Sequence, residues 1–158
     1  MLYITISGLI CSLKYFSLRV YKGFMERPIL TEVKPLKSGQ SKGEAETAIR
    51  NAIIKFEQEF MGRGPTDVKA FILRDMVLVR LKGVLTLAER RLAENAEGVD
   101  MVKRMRQNLI AQGREKLCSQ VGVIMGTEVT GLFTDIETHI GERMIVFTLE
   151  TDFDATNR

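Results

Sequence analysis

The sequence predicts a two-layer α+β domain, in which one antiparallel sheet of four strands packs against a long helix in the order αββααββ. Two segments alternate like β-hairpins, and stretches with the helical spacing of apolar residues precede and separate them. At 158 residues the chain is long enough for one domain with a hydrophobic core. We divide it into a non-native or disordered extension (1–24), a linker (25–42), the α+β domain (43–150) and a polar tail (151–158).

The first 24 residues differ in character from the rest of the chain. The apolar run from Met1 to Leu13 is too short to cross a bilayer, and it lacks the basic start of a signal peptide. Three interpretations stay open: translated upstream sequence with Met25 as the native start, a membrane-associating arm, or a structured extension. We favour Met25. The segment that follows, to residue 42, is interrupted by prolines, glycines and serines and has no apolar period.

The first predicted helix spans about residues 43–61. Ser41 and Glu44 have the spacing of a capping box, and Gly62 suits the residue after a helix. The first hairpin follows over 66–82, with Arg74-Asp75 as its turn. Both faces of these strands are largely apolar, whereas a sheet covered on one side alternates more cleanly. We therefore expect a partner to cover the second face, and a second copy of the chain is our prediction.

The second half of the domain begins with another capping box, Thr86 to Glu89, which predicts a short helix through Asn95. We expect Gly98 to interrupt the chain before a long helix from about Val99 to Met125, which Gly126 ends. The second hairpin is predicted over 128–136 and 142–150, with Gly141 in the turn. The predicted buried stripe of the long helix is Val102, Met105, Leu109, Gly113, Leu117, Val121 and Ile124. The side chains expected largely away from it are Arg104, Arg106, Gln107, Arg114 and Glu115.

The distribution of charge argues against nucleic acid as a partner. The net charge of +3 comes entirely from Lys14, Arg19 and Lys22, which leaves 20 basic and 20 acidic residues in 25–158. Binding to phosphate backbones normally needs an excess of cations. The two cysteines, Cys11 and Cys118, cannot form a disulfide framework, which favours a reducing cytoplasm.

The residues that usually carry chemistry are sparse. The sequence has no phosphate-binding Gly-x-x-x-x-Gly-Lys-Ser/Thr loop and no Gly-x-Ser-x-Gly elbow. One histidine, His139, cannot make a multi-histidine metal site, and Cys118 has no ligand partner at a suitable spacing. We therefore expect no catalytic residue, no metal and no cofactor, and thus a protein that is not an enzyme.

Five charged residues in strands and turns are the candidate binding residues: Arg63, Asp75, Arg80, Asp135 and Arg143. An Asp135–Arg143 pair across the second hairpin would be a structural contact of small energetic weight if exposed. The alternative is a polar site at one end of the sheet, where Arg63, Asp75 or Arg143 engages an anion or a partner's carboxylate.

Four blocks of residues carry a resemblance to a known family. They are Gly62-Arg63-Gly64-Pro65, the segment 77–86, Arg104 with Leu109-Ile110, and the segment 129–136. These blocks resemble the bacterial family labelled component C of a sodium-translocating, membrane-potential-generating system (MpsC), over about residues 43–150. The resemblance implies association with integral-membrane subunits that move cations or inorganic carbon. It supplies no catalytic residues. The core contains no transmembrane segment, so it cannot itself be the conduit.

Together these observations predict a non-enzymatic, homodimeric accessory or regulatory subunit of a membrane transport system. We expect it in the cytoplasm, peripheral to the inner face of the membrane. The alternative is a small-ligand or nucleotide-sensing domain that uses the polar end of the sheet. An RNA-binding module is a third hypothesis, which the neutral core disfavours.

Overall fold

The computed structural model describes residues 41–156. Its elements are α1 (Lys42–Met61), β1 (Asp67–Leu73), β2 (Met76–Lys82), α2 (Leu87–Leu92), α3 (Ala96–Met125), β3 (Val129–Glu137), β4 (Glu142–Leu149) and α4 (Phe153–Thr156). The strands form one antiparallel sheet in the order β1-β2-β4-β3. The predicted α+β class and αββααββ order are confirmed, with α4 as an additional single turn. The expectations for residues 1–24, and for the linker as far as residue 40, lie outside the described residues.

Both predicted capping boxes are present. The Ser41 hydroxyl accepts from the Glu44 amide at 3.4 Å, and the Glu44 carboxylate accepts from the Ser41 amide at 2.8 Å. Thr86 and Glu89 make the same exchange at 3.2 and 2.7 Å. Because such caps satisfy amides that the first helical turn leaves without partners, they set where α1 and α2 begin.

The boundary between α2 and α3 differs from the prediction. α2 ends at Leu92, and α3 already begins at Ala96, where the Asn95 side chain accepts from the Gly98 amide at 2.9 Å. The interruption predicted at Gly98 is wrong, because this glycine lies inside the first turn of α3. A Cβ atom at Gly98 would collide with the Leu92 carbonyl, so the glycine permits a close approach of the backbone.

The helices cover one face of the sheet. α1 packs against β1, α3 packs against β3, and the two helices also contact each other. The inward side chains of both helices and all four strands form one buried cluster, which includes Ile49, Ile53, Phe56, Val79, Leu117, Ile145 and Phe147. α1 crosses α3 at Gly113, where an added Cβ atom would lie 2.6 Å from the Phe56 ring. The absence of a side chain at Gly113 thus sets how closely the two helices approach.

The buried stripe of α3 corrects two predicted positions. Met105 is 44% exposed and Leu109 is only partly buried, whereas Arg106 is 2% exposed and Ile110 is 4% exposed. The prediction that Arg106 lies away from the core is therefore wrong. The stripe passes from Val102 through Arg106 to Ile110 at four-residue spacing, so a charged residue occupies a core position.

Candidate functional site

Three charged side chains are buried at the junction of both long helices and the sheet. Glu57 on α1, Arg106 on α3 and Arg143 on β4 are exposed by only 1%, 2% and 2%. Each has the same spacing as the buried apolar residues of its own helix or strand, so its side chain points into the core. Because a buried charge without a partner is very costly, the fold must supply counter-ions there.

Glu57 is the shared counter-ion of the two arginines. Arg143 Nη1 donates to Glu57 Oε1 at 2.9 Å, and Arg106 Nη1 lies 3.8 Å from Glu57 Oε2 without forming a hydrogen bond. Glu57 thereby links α1 to both β4 and α3.

Arg106 has a second, stronger carboxylate partner in Glu89 of α2. Its Nε and Nη2 atoms donate to the two Glu89 oxygens at 2.8 and 2.9 Å, and Nη2 also donates to the Val84 carbonyl at 2.6 Å. The same Glu89 carboxylate closes the capping box with Thr86. One carboxylate therefore both starts α2 and attaches it to α3. We call Glu57, Glu89, Arg106 and Arg143 the buried ion cluster.

Burial and pairing oppose each other within this cluster. Burial raises the pKa of Glu57 and outweighs the lowering effect of the nearby Arg143 and Arg106. Burial also acts to raise the pKa of Glu89, but hydrogen bonds from Arg106 and the Thr86 backbone together lower it below its ordinary value. Burial lowers the pKa of Arg143 despite the attraction of Glu57. With two carboxylates and two guanidinium groups, the fully ionised cluster is electrically neutral.

A small recess opens beside the cluster, where α3 passes the β3–β4 hairpin. Its volume is about 10 Å³, and Arg106, Arg143, Lys103 and Asp135 contribute to its lining. Arg106 Nη1 and Arg143 Nε are buried without a hydrogen-bond partner. Such a volume accommodates about one water molecule. The recess therefore has room for one water-sized molecule beside the two arginines.

Of the five predicted binding residues, only Asp135 and Arg143 line this recess, but Asp135 is exposed, and the sheet register places it on the face opposite to that of Arg143. Arg80 lies on the opposite face of the sheet and makes a bidentate pair with Glu142 at 2.9 Å for both hydrogen bonds. Arg63 donates to the Leu85 carbonyl at 3.3 Å. Asp75 lies in the β1–β2 turn and borders an open depression of about 860 Å³. The structure thus distributes the five residues over several places.

The expected Asp135–Arg143 pair across the hairpin does not form. In the register of β3 and β4, Asp135 lies opposite Met144, whereas Arg143 lies opposite Ile136 on the inner face. Arg143 is paired with Glu57. Glu57, Glu89 and Arg106 were not identified as site residues from the sequence. Glu57 and Arg106 each lie four residues from apolar core positions, and this spacing could have indicated their burial.

The sheet face turned away from the helices, which we call the outer face, presents four rows of cross-strand neighbours. Two rows are mostly apolar: Phe71, Leu78, Val146 and Phe133, then Leu73, Met76, Thr148 and Gly131. The other two are mostly charged: Lys69, Arg80, Met144 and Asp135, then Asp67, Lys82, Glu142 and Glu137.

The apolar rows of the outer face remain accessible. Phe133 is 63% exposed, and Leu73, Phe71 and Met76 are 46%, 43% and 40% exposed. No element within residues 41–156 covers them. The sequence prediction that both faces of the first hairpin are largely apolar is confirmed for the inner face and for the half of the outer face near the β1–β2 turn. The other half of the outer face is charged, with Asp67, Lys69, Arg80 and Lys82.

These features define a class of protein: a two-layer α+β domain with a neutral buried ion cluster and an open apolar sheet face. The chain belongs to the family described as the Na⁺-translocating membrane potential-generating system (MpsC), whose model matches residues 41–151. The resemblance given by the sequence blocks is confirmed. Among the described residues, no helix is long and apolar enough to cross a membrane, and no group of three or more potential metal ligands occurs.

Two relatives come from Bacillus subtilis (strain 168). The uncharacterized protein YbcI is 39% identical over 115 residues, which are 73% of this chain and 93% of YbcI. The uncharacterized protein YrhF is 28% identical over 103 residues, which are 65% of this chain and 84% of YrhF. No solved structure matches the chain.

Proposed function

We propose that this protein is a non-enzymatic accessory or regulatory subunit of a membrane system that moves cations or inorganic carbon, and that it acts as a homodimer. The observation that carries the proposal is the apolar half of the outer face, which no element within residues 41–156 covers. It is formed by Phe71, Leu73, Met76, Leu78, Phe133 and Val146. A contiguous apolar surface on a soluble domain commonly marks an interaction site.

The state of the buried carboxylates supports a role that is not enzymatic. Glu57 and Glu89 are each hydrogen-bonded to an arginine. A general acid or base must reach a proton of the substrate, and these two groups are held by their partners inside the core. They serve to join α1, α2, α3 and β4.

The family description supports the membrane connection, because it refers to a membrane potential-generating system. The chain would then contribute a peripheral subunit on the cytoplasmic side, attached to integral-membrane subunits that form the conduit.

A comparison of two aspartate variants tests this role. Phe133→Asp places a charge in the apolar half of the outer face, whereas Leu87→Asp changes a residue of similar exposure, 69%, at the start of α2. Membranes from cells that produce each full-length protein are cross-linked, and the proteins attached to the chain are identified. We expect the wild type and Leu87→Asp to retain integral-membrane transport subunits. Phe133→Asp should lose them, because it disrupts the homodimer and the subunits bind the assembled dimer.

Absence of any integral-membrane transport protein from the wild-type sample would contradict the accessory role. Equal recovery with Phe133→Asp would show that the outer face is not needed for it. Circular dichroism spectra provide the folding control, because both variants should keep the wild-type secondary structure, whereas loss of the dimer alone would lower the melting temperature.

The recess beside the buried ion cluster supports the alternative of a small-ligand sensor only for a very small ligand. Arg106 and Arg143 line the recess and are the buried cations nearest to a bound acceptor. The volume of about 10 Å³ is far below the roughly 300 Å³ or more of ordinary small-molecule sites, so a nucleotide does not fit. The depression near Asp75 is also unsuited to phosphate, because its four carboxylates outnumber its two cations, Lys42 and Arg74. The carboxylates are those of Asp75, Glu150, Asp152 and Asp154.

A further inference from the structure

Two opposite charges at the edges of the outer face have no ion-pair partner within residues 41–156. Lys69 on β1 and Asp135 on β3 are exposed and belong to the same cross-strand row, with Arg80 and Met144 between them. The Asp135 carboxylate accepts only from the adjacent Ile136 amide, at 2.8 Å. Three interstrand spacings separate Lys69 from Asp135 by about 14 Å, so they cannot pair within one subunit.

We propose that two copies of the chain pack outer face to outer face, about a twofold axis that runs parallel to the strands between β2 and β4. This inference rests on the proposed homodimer and specifies its geometry. The axis places β1 of one subunit over β3 of the other. Lys69 of each subunit then meets the partner's Asp135, and a single symmetric interface forms this pair twice.

The same axis matches the apolar rows. Phe71 meets the partner's Phe133, and Leu78 meets the partner's Val146. Leu73 meets the partner's Gly131, where the lack of a side chain leaves room for the leucine. Because every apolar row faces its own counterpart, large side chains meet apolar or small ones across the whole patch, as in aligned packing of two sheets.

Charge matching extends to the second charged row. Lys82 meets the partner's Glu142. Within its own subunit, Glu142 already pairs with Arg80 at 2.7 Å and with Lys82 at 3.5 Å, so the interface joins two such pairs. Asp67 and the partner's Glu137 form the one like-charged type of contact. Both residues lie at strand ends, at the corners of the sheet. The twist of two packed sheets separates these corners, so the two carboxylates stay in water.

A twofold axis perpendicular to the strands fits the outer face less well. Centred on the sheet, it would place charged rows over apolar rows and bury charges without partners. Shifted to the middle of the apolar rows, it would exclude Lys69 and Asp135 from the interface and would bury a smaller area. The two arrangements differ in whether these two charges affect assembly.

Charge reversal in the full chain distinguishes the arrangements. Lys69→Asp and Asp135→Lys each create two like-charged contacts per dimer, so we expect each to raise the dimer dissociation constant about tenfold or more. The double variant restores both pairs with reversed sign and should dimerise like the wild type. An equimolar mixture of the single variants should form heterodimers, because both cross-pairs are then of opposite sign.

Sedimentation equilibrium measures these constants, with Arg104→Asp on the exposed face of α3 as the matched control. Circular dichroism spectra are the folding check, because a weaker dimer alone lowers the melting temperature. A wild-type monomer at micromolar concentration would overturn the homodimer itself. A wild-type dimer that is insensitive to both single reversals would retain the homodimer and overturn this axis. Weakening by both single variants without recovery in the mixture would also overturn it.

Discussion

Glu57→Gln is the most informative single perturbation of the fold, because it removes one charge and almost no volume. Glu57 is 1% exposed, and its carboxylate is the hydrogen-bonding partner of Arg143, itself 2% exposed. The substitution leaves the Arg143 guanidinium buried without a counter-ion. Removal of one partner from a buried ion pair costs about 3–5 kcal/mol. At about 4 °C for each kcal/mol in a domain of this size, the melting temperature should fall by about 12–20 °C.

Glu59→Gln provides the matched control in the same helix. Glu59 pairs with Lys116 at 2.6 Å, but both side chains are partly exposed, at 21% and 32%. Such a pair contributes at most about 1 kcal/mol. Both variants are measured by thermal and urea unfolding at pH 7. Equal, small losses at the two positions would refute the reasoning that Arg143 depends on Glu57 for its charge balance.

A double substitution separates charge imbalance from loss of packing. Glu57→Leu combined with Arg143→Met replaces the pair by apolar side chains, a change that is often neutral or stabilising in other proteins. We expect this double variant to be more stable than Glu57→Gln. A double variant less stable than Glu57→Gln would show that the pair itself, through its geometry, stabilises the junction of α1 with β4.

Three further predictions concern α3 and its contacts. Leu117→Ala should lower the free energy of unfolding in urea by about 2–5 kcal/mol, because Leu117 is fully buried. Leu109→Ala should lower it clearly less, because Leu109 is only partly buried, and equal losses would contradict the observed stripe. Gly113→Ala should destabilise the domain by about 1–3 kcal/mol, because the added methyl group meets the Phe56 ring; an unchanged melting temperature would contradict close helix packing there. Glu89 has a pKa lowered from its ordinary value of 4.5, so its contribution is present above that pH and is lost as the pH falls through the lowered value. Glu89→Gln should therefore be less stable than the wild type at pH 7, with a difference that closes on acidification below pH 4.5; a difference independent of pH would contradict this assignment.

Local sequence signals predicted the element order and most element ends. Capping boxes at Ser41 and Thr86 and left-handed glycines at Gly62 and Gly126 act within a few residues of the chain, so the sequence displays them directly. Gly98 shows the limit of such signals. Its lack of a side chain serves a contact with the Leu92 carbonyl, and that contact exists only after α2 and α3 have packed together.

The buried ion cluster depends on contacts between distant segments, and for that reason it escaped prediction. In the sequence, Arg106 lies among the polar residues Arg104 and Gln107 and therefore resembles a solvent-exposed helix residue. Its burial is possible only because Glu89 and Glu57 approach it in the folded structure. Arg143 was identified as a candidate, but Glu57, 86 residues away, is its partner. The outer face, in contrast, follows from strand alternation alone, which is why its apolar character was predictable.

The mass of the full chain in solution tests the central claim most directly. Multi-angle light scattering at micromolar concentration should give twice the 17.9 kDa mass of one chain, and Phe133→Asp should reduce it towards 17.9 kDa while its circular dichroism spectrum remains that of the folded wild type. Leu87→Asp should leave the dimer intact. A wild-type mass of 17.9 kDa at that concentration would contradict the claim that a second copy covers the apolar sheet face.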